Sequence, residues 1–329
     1  LRPRAQIVSV QTVVRRLKRL KPPALLVVDE AHHAASSMWE ELLEWAKDSY
    51  VLGLSATPRR LDGRGLAGYF DEIVCGPSMR WLIDHSFLAP YRLFAPPGLD
   101  MRGVGVVAGD FNRKQVAERV TDAKIVGDAV AHYRTHCEGK RAVAFCVSVE
   151  HARQVAEQFQ QKGIASTYFE GGTEKGLRDQ ITRDFESGHI KVLANCELLG
   201  EGYDLPAIEA AILLRPTMSL TLYLQQVGRA MRYVDGKVAT ILDHVGNAAR
   251  HGLPDMDREW TLEKGGAERK KKDGGEQAGR ICTRCFSSSP ARATACKWCG
   301  TPFPDEARKI GTEEGELAEV RTEKQIEQQ

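Results

Sequence analysis

Leu25-Leu26-Val27-Val28-Asp29-Glu30-Ala31-His32 is the stretch on which the reading of this chain turns. Its first four residues form a fully apolar run, the pattern of a strand buried on both faces of a parallel sheet. The run stops at Asp29 and Glu30. In open α/β sheets, ligands bind beyond the carboxyl ends of the strands. An Asp placed there can hold Mg²⁺ on nucleotide phosphates, and an adjacent Glu can orient and deprotonate an attacking water. Taken alone, the pair also reads as a solvated charge cluster at a strand end, so the surrounding sequence has to decide.

Working outward, short apolar runs alternate with helical stretches, the rhythm of a parallel α/β sheet. Residues 7–10 read as a buried strand, 11–20 as a helix with a basic face, 39–46 as an amphipathic helix and 50–54 as a second strand ending at Ser55. Residues 90–99, with three prolines and a glycine, read as a connector. The rhythm returns over 110–250. Helices are predicted at 121–136, 149–162 and 177–187, with strands at 141–147, 166–169, 191–194, 210–214 and 239–242. Residues 253–279 lose it, with Gly265-Gly266, the basic run 269–272 and Gly274-Gly275, and read as a flexible linker. Residues 305–329, with eight acidic and four basic side chains, read as a solvated tail.

The chain has 329 residues, 42% of them hydrophobic and 27% charged, enough to bury two full-sized cores and unlike a disordered or disulfide-stapled chain. The formal net charge of +2 identifies no partner by itself. No apolar run approaches the roughly 20 residues of a membrane span, and no signal peptide is visible. Of the eight Cys, four sit in two C-x-x-C pairs and four are scattered through apolar segments, a usage that points to the cytoplasm. Cys75, Cys137, Cys146 and Cys196 read as core or incidental, Trp39 and Trp45 as packing, and the nine His show no ligand spacing.

Three further constellations accompany Asp29 and Glu30. Ser55-Ala56-Thr57 ends the neighbouring strand, where two hydroxyls can bridge the carboxylates to another surface; a turn or helix cap is the alternative. Gly200-Glu201-Gly202-Tyr203-Asp204-Leu205-Pro206 follows a strand, with glycines that permit close backbone approach. Gln225-Gln226-Val227-Gly228-Arg229-Ala230-Met231-Arg232 places two arginines three apart, on one face of a helix, suited to charge on a transferring phosphoryl group.

In this order the motifs resemble those of the superfamily-two helicases and translocases of the D-E-A-H-box type, over about residues 1–250. Residues 29–32 match motif two, 55–57 motif three, 142–148 motif four, 192–206 motif five and 225–232 motif six. The resemblance implies two RecA-like α/β domains, with ATP in the cleft between them and nucleic acid, DNA favoured, across their tops. It implies Mg²⁺ coordination at Asp29, a catalytic base at Glu30, coupling through His32, Ser55 and Thr57, nucleotide contacts at Gly202, Asp204, Gln225 and Gly228, and arginine fingers at Arg229 and Arg232. Gln11, Thr12, Gly171 and Arg178 stand where the resemblance places strand contacts, and Arg15 and Arg59 sit in basic clusters that fit either a nucleic-acid-facing patch or a solvated surface. Motif five departs from the commoner pattern, with Cys196 where Thr is frequent and Glu201 where Arg is frequent.

The P-loop pattern G-x-x-x-x-G-K-[ST], whose backbone and Lys cradle phosphates in such enzymes, does not occur in these residues. Leu1 is not Met and only 28 residues precede Asp29, so the expectation is an N-terminally truncated first domain and little ATP turnover by this chain alone. On this reading, 1–92 is the end of the first RecA-like domain, 93–109 a connector, 110–252 the second domain, 253–279 a linker, 280–304 a zinc ribbon and 305–329 a tail.

Cys282-x-x-Cys285, ten intervening residues and Cys296-x-x-Cys299 have the spacing of a four-thiolate Zn²⁺ site. So small a segment needs metal as its staple. Residues 1–28 carry seven Arg/Lys and no acid, which fits either a nucleic-acid-facing patch or a solvated helix face. A motor joined to such a ribbon resembles bacterial or phage repair and restriction-associated helicases, the RadD-like group among them. That likeness implies a bacterial or phage-infected cytoplasm and a separate nuclease or repair protein as partner, since no nuclease motif stands out here. A non-catalytic nucleic-acid-binding module and a motor subunit of a restriction-type nuclease complex remain the alternatives.

Overall fold

The computed structural model describes residues 5–33, 37–58, 65–95, 123–196 and 208–263, with short pieces at 106–107, 110–112, 115, 267–269, 280–281, 288–289, 294–295 and 300–302. The second lobe is built on six parallel strands in the order β3-β10-β9-β6-β8-β7. These are β3 (Tyr91–Phe94), β6 (Ala142–Phe145), β7 (Ser166–Phe169), β8 (Val192–Asn195), β9 (Ala210–Leu213) and β10 (Ala239–Asp243). The central strands are buried along their whole length, as their continuous apolar runs require.

Side-chain alternation splits this sheet between two cores. Val143, Phe145, Leu193 and Ala211 face the helices Lys175–Glu186 and Leu220–Ala230, against Phe185, Tyr223 and Val227. Ala142, Ala144, Ala194 and Ile212 face Ala123–Cys137 and Val149–Gln161, against Tyr133, Val155 and Phe159. Serines begin two of these helices. Ser148 Oγ accepts the His151 amide and Ser219 Oγ the Leu222 amide, satisfying donors that a helix leaves free.

In the first lobe, β1 (Leu25–Val28) and β2 (Tyr50–Gly53) pair in parallel. Helices Val10–Val14 and Ser37–Trp45 close a small core of Val13, Leu17 and Leu42, with Trp39 and Trp45 packed against it as expected of them. The other sheet face leaves Leu25, Val27, Tyr50 and Leu52 exposed.

Three expectations need correction. The stretch 253–279 is not a flexible linker throughout: Arg258–Trp260 is a strand paired with Ala267–Arg269, and Trp260 packs on the second-lobe core. Residues 7–10 are not a buried strand: Ile7 is fully exposed, and Ser9 caps a helix that already begins at Val10. Residues 91–94 are not connector but strand β3, while Met79 and Ile83 of the helix Met79–Asp84 pack on the second-lobe core. The ribbon cysteines and the tail lie outside the described residues. No helix among the described residues is long and apolar enough to cross a membrane.

Candidate active site in the interlobe cleft

Strand β1 delivers Asp29 and Glu30 at its end. Glu30 sits in the left-handed region, φ 50°, a conformation that costs energy for a residue with a side chain. Its amide donates to Asp29 Oδ1 at 3.0 Å. The chain then turns into the 3₁₀ segment Ala31–His33, held to the neighbouring strand by the Ala31 amide on the Leu54 carbonyl at 2.9 Å. His32 is buried, with Nδ1 3.1 Å from Ser55 Oγ and 3.3 Å from Glu30 Oε2. Ser55 Oγ also accepts the Thr57 amide at 3.2 Å. Thr57 Oγ1 is buried with no hydrogen-bond partner among the described residues. One imidazole nitrogen thus meets a carboxylate and a hydroxyl at once, linking the ends of β1 and β2.

A cleft of about 1680 Å³ opens from this point. Glu30, Ser55 and Thr57 line it from the first lobe, and Gln225, Gly228, Arg229 and Arg232 from the second. Asp29 is exposed beside it rather than in its lining. The helix reading for motif six holds only to Ala230. Arg232 lies past the helix end, where its backbone bridges Leu88, yet it reaches the same cleft as Arg229. A Cβ at Gly228 would meet no atom within 4 Å, so the helix surface is open there. The cleft therefore carries a carboxylate and hydroxyls on one wall and guanidinium groups on the other, a charge arrangement suited to a polyphosphate and its cation.

Other sequence-predicted positions lie away from this cleft. Gln11 and Arg15 are exposed, and the Thr12 hydroxyl accepts from Ser9 Oγ at 2.9 Å. Arg178 is spent on the carbonyls of Gly171 and Thr173, at 3.3 and 3.2 Å. Arg59, Gly202, Asp204, Cys282, Cys285, Cys296 and Cys299 lie outside the described residues. Sequence reasoning missed Phe70, Arg258 and Trp260, which also line the cleft. Arg258 stands in the stretch read as linker, and Phe70 between motifs; neither carries a spacing signal.

The type III restriction enzyme res-subunit family matches residues 4–60, and the helicase conserved C-terminal domain family matches residues 125–234. A 51.5 kDa protein of a Lactococcus phage is 34% identical over 303 residues, covering 92% of this chain and 67% of the phage protein. The chain belongs to the superfamily-two helicases, restriction type. IRC3 of Saccharomyces cerevisiae, named as a candidate ATP-dependent helicase, is 30% identical over 253 residues, 73% of this chain and 37% of its own length. Among solved structures, the fragment of a candidate type I restriction enzyme HsdR subunit from Vibrio vulnificus shares the fold. Its TM-score is 0.56 at 24% identity, over 74% of this chain and 50% of that one. The superfamily-two chain thus spans about two thirds of the phage relative and little more than a third of the yeast one.

Proposed function

We propose that this chain is the motor part of an ATP-dependent nucleic-acid translocase, acting on DNA. The observation that carries the reading is the single cleft shared by Glu30, Ser55 and Thr57 on one wall and Arg229 and Arg232 on the other. Asp29 would hold Mg²⁺, and Gln225 and Gly228 would border the nucleotide; Gly202 and Asp204 are proposed nucleotide contacts on the resemblance alone. Bound Mg²⁺–ATP supplies the electrophilic phosphoryl group. Glu30 takes the proton of the attacking water, with its carboxylate steered by His32. His32 passes any shift of that carboxylate to Ser55, and the unpartnered Thr57 hydroxyl is free to follow. Arg229 and Arg232 stabilise charge on the far side. The P-loop pattern does not occur in these residues, so only weak turnover is assigned to this chain alone.

Glu30→Gln keeps the shape of the turn but removes the base. Nucleotide binding should persist while kcat falls by roughly 10²–10⁴. Normal turnover in that variant would exclude Glu30 as the base. The exposed cations Arg15, Arg16, Lys18 and Arg19 support a phosphate-backbone contact near Gln11 and Thr12; Arg59, Gly171 and Arg178 stay in the proposal on the sequence alone. Cys282, Cys285, Cys296 and Cys299 would bind one Zn²⁺. Elemental analysis should find one zinc per chain, and folded protein without zinc would remove the ribbon from the proposal. Restriction-type kinship supports a nuclease or repair protein as partner, in a bacterial or phage-infected cytoplasm.

A further inference from the structure

We infer that residues 258–262 form a strap from the second lobe to the first, and that Phe70, at the strap's landing point, is a positioning residue for Glu30. The inference deepens the proposed reading, since it takes Glu30 as the base.

The strap begins in a built anchor. Arg258 donates from Nη1 to the carbonyls of Pro254 and Met256, each at 2.9 Å, and from Nη2 to those of His251 and Leu253, at 3.3 and 2.9 Å. A guanidinium spread over four carbonyls fixes the loop that leaves the second lobe. The buried Asp255 in that loop accepts from the Tyr91 hydroxyl and pairs with Arg80. Trp260 then packs on the second-lobe core. Two residues further on, the Leu262 carbonyl accepts the amides of both Leu66 and Ala67, at 2.6 and 3.0 Å.

Those two amides open a tight turn in the first lobe. The Tyr69 and Phe70 amides both return to the Leu66 carbonyl, at 2.9 and 3.1 Å. Tyr69 donates its hydroxyl to Glu40 Oε1 at 2.7 Å, which pins the turn to the helix Ser37–Trp45. The Phe70 ring and the Ala31 methyl both lie over Gly53. A Cβ placed on Gly53 would lie 2.7 Å from two ring carbons and 2.9 Å from the Ala31 methyl, so glycine is needed for the three to meet. Ala31 is the residue after Glu30, and its amide is tied to Leu54. The ring thus closes off the space into which the Glu30 turn would relax from its left-handed conformation. Whatever displaces the strap displaces the ring, and the carboxylate loses its aim.

Amide exchange on this chain, without nucleotide, reads the coupling directly. Trp260→Ala removes the ring that seats the strap. The amides of Leu66, Ala67 and Ala31 should then exchange faster by about 10-fold or more, while Ile241 and Leu213 in the second sheet keep their protection. Faster exchange at Leu66 and Ala67 with Ala31 unchanged would overturn the inference. Should Ile241 also lose protection, Phe70→Leu decides. It leaves the strap in place, so Ala31 should speed up while Leu66 and Ala67 do not; an unchanged Ala31 overturns it. Phe70→Leu should lower kcat about 10-fold with KM for ATP unchanged, as expected of lost orientation. A raised KM with normal kcat would instead make Phe70 a binding-wall residue. Normal turnover by Glu30→Gln would sink the catalytic-base reading and leave the exchange results standing.

Discussion

At the scale of single residues, burial makes two histidines into acid-sensitive points of the second lobe. His244 is buried at the end of β10, its ring 5.1 Å from that of His132, which lies 6.2 Å from His136. Burial, then the neighbouring His132 and His136, push the His244 pKa down to about 3. Burial alone pushes His151 down to about 4. His136 is lowered too, by burial first and then by His132 and Arg92. A base whose folded pKa is depressed binds its proton more readily when unfolded. Stability is therefore full above the unfolded value near 6.5 and is lost as pH falls from there towards 4 and 3. Each of the two rings should cost about 2 kcal/mol between pH 7 and pH 5. Denaturant midpoints of the second lobe at those two pH values test this, and His244→Phe should flatten the slope by its share. An unchanged midpoint would mean that both rings take up protons as readily in the folded chain as in the unfolded one, so that folding depresses neither pKa. The histidine cluster was not legible in the sequence. His132 and His136 are a helical turn apart, but His244 reaches them only because β10 ends beneath that helix. Among the described residues they form no metal-binding group. By contrast, the meeting of Glu30, His32 and Ser55 was foreshadowed, because all three end or follow adjacent apolar strands.

At the scale of elements, the sequence was most legible where apolar runs were continuous. Strands at 142–145, 192–195, 210–213 and 239–243 fall inside or within a residue of the predicted stretches, because both sheet faces are buried and each run must be apolar throughout. The reading failed at the sheet's edge. Prolines around 90–99 suggested a connector, yet β3 occupies 91–94 and pairs only with β10. An edge strand tolerates proline at its flank, and here the Pro90 carbonyl accepts the Ala239 amide at 2.8 Å. A second failure lay at residues 7–10, where Val8 and Val10 suggested a strand. The local competitor was Ser9, whose hydroxyl accepts the Thr12 amide at 3.3 Å and starts a helix. The two misreadings run in opposite directions: at 7–10 cap chemistry outweighs the apolar run, and at 91–94 a strand forms beside its prolines. The strap was unreadable for a different reason. Its anchor is one arginine holding four carbonyls, and backbone acceptors leave no mark on residue identity.

At the scale of the whole molecule, the two lobes differ greatly in how much apolar surface they bury. The second lobe has a core on each face of six strands. The first lobe, over its described residues, has two strands, a core of Val13, Leu17 and Leu42, and an exposed apolar face at Leu25, Val27, Tyr50 and Leu52. A two-stranded sheet is marginal without cover on both sides. The two lobes are joined at Leu262 by hydrogen bonds worth about 1 kcal/mol each. That is well below the difference expected between a large and a small core, where a single buried Leu or Phe already contributes about 1.5–3 kcal/mol. The strap can therefore pass a displacement between lobes without fusing them into one cooperative unit. Exchange of this chain in rising denaturant should show two steps. Leu54 and Ala31 should lose protection first, and Ile241 and Leu213 only at a clearly higher midpoint. A single shared midpoint would mean that the lobes unfold together and that the strap, or a contact beyond it, carries far more energy than two hydrogen bonds. Two midpoints, with the Ala31 step moved lower by Trp260→Ala and the Ile241 step unmoved, would show the described part of the first lobe held in place by the second.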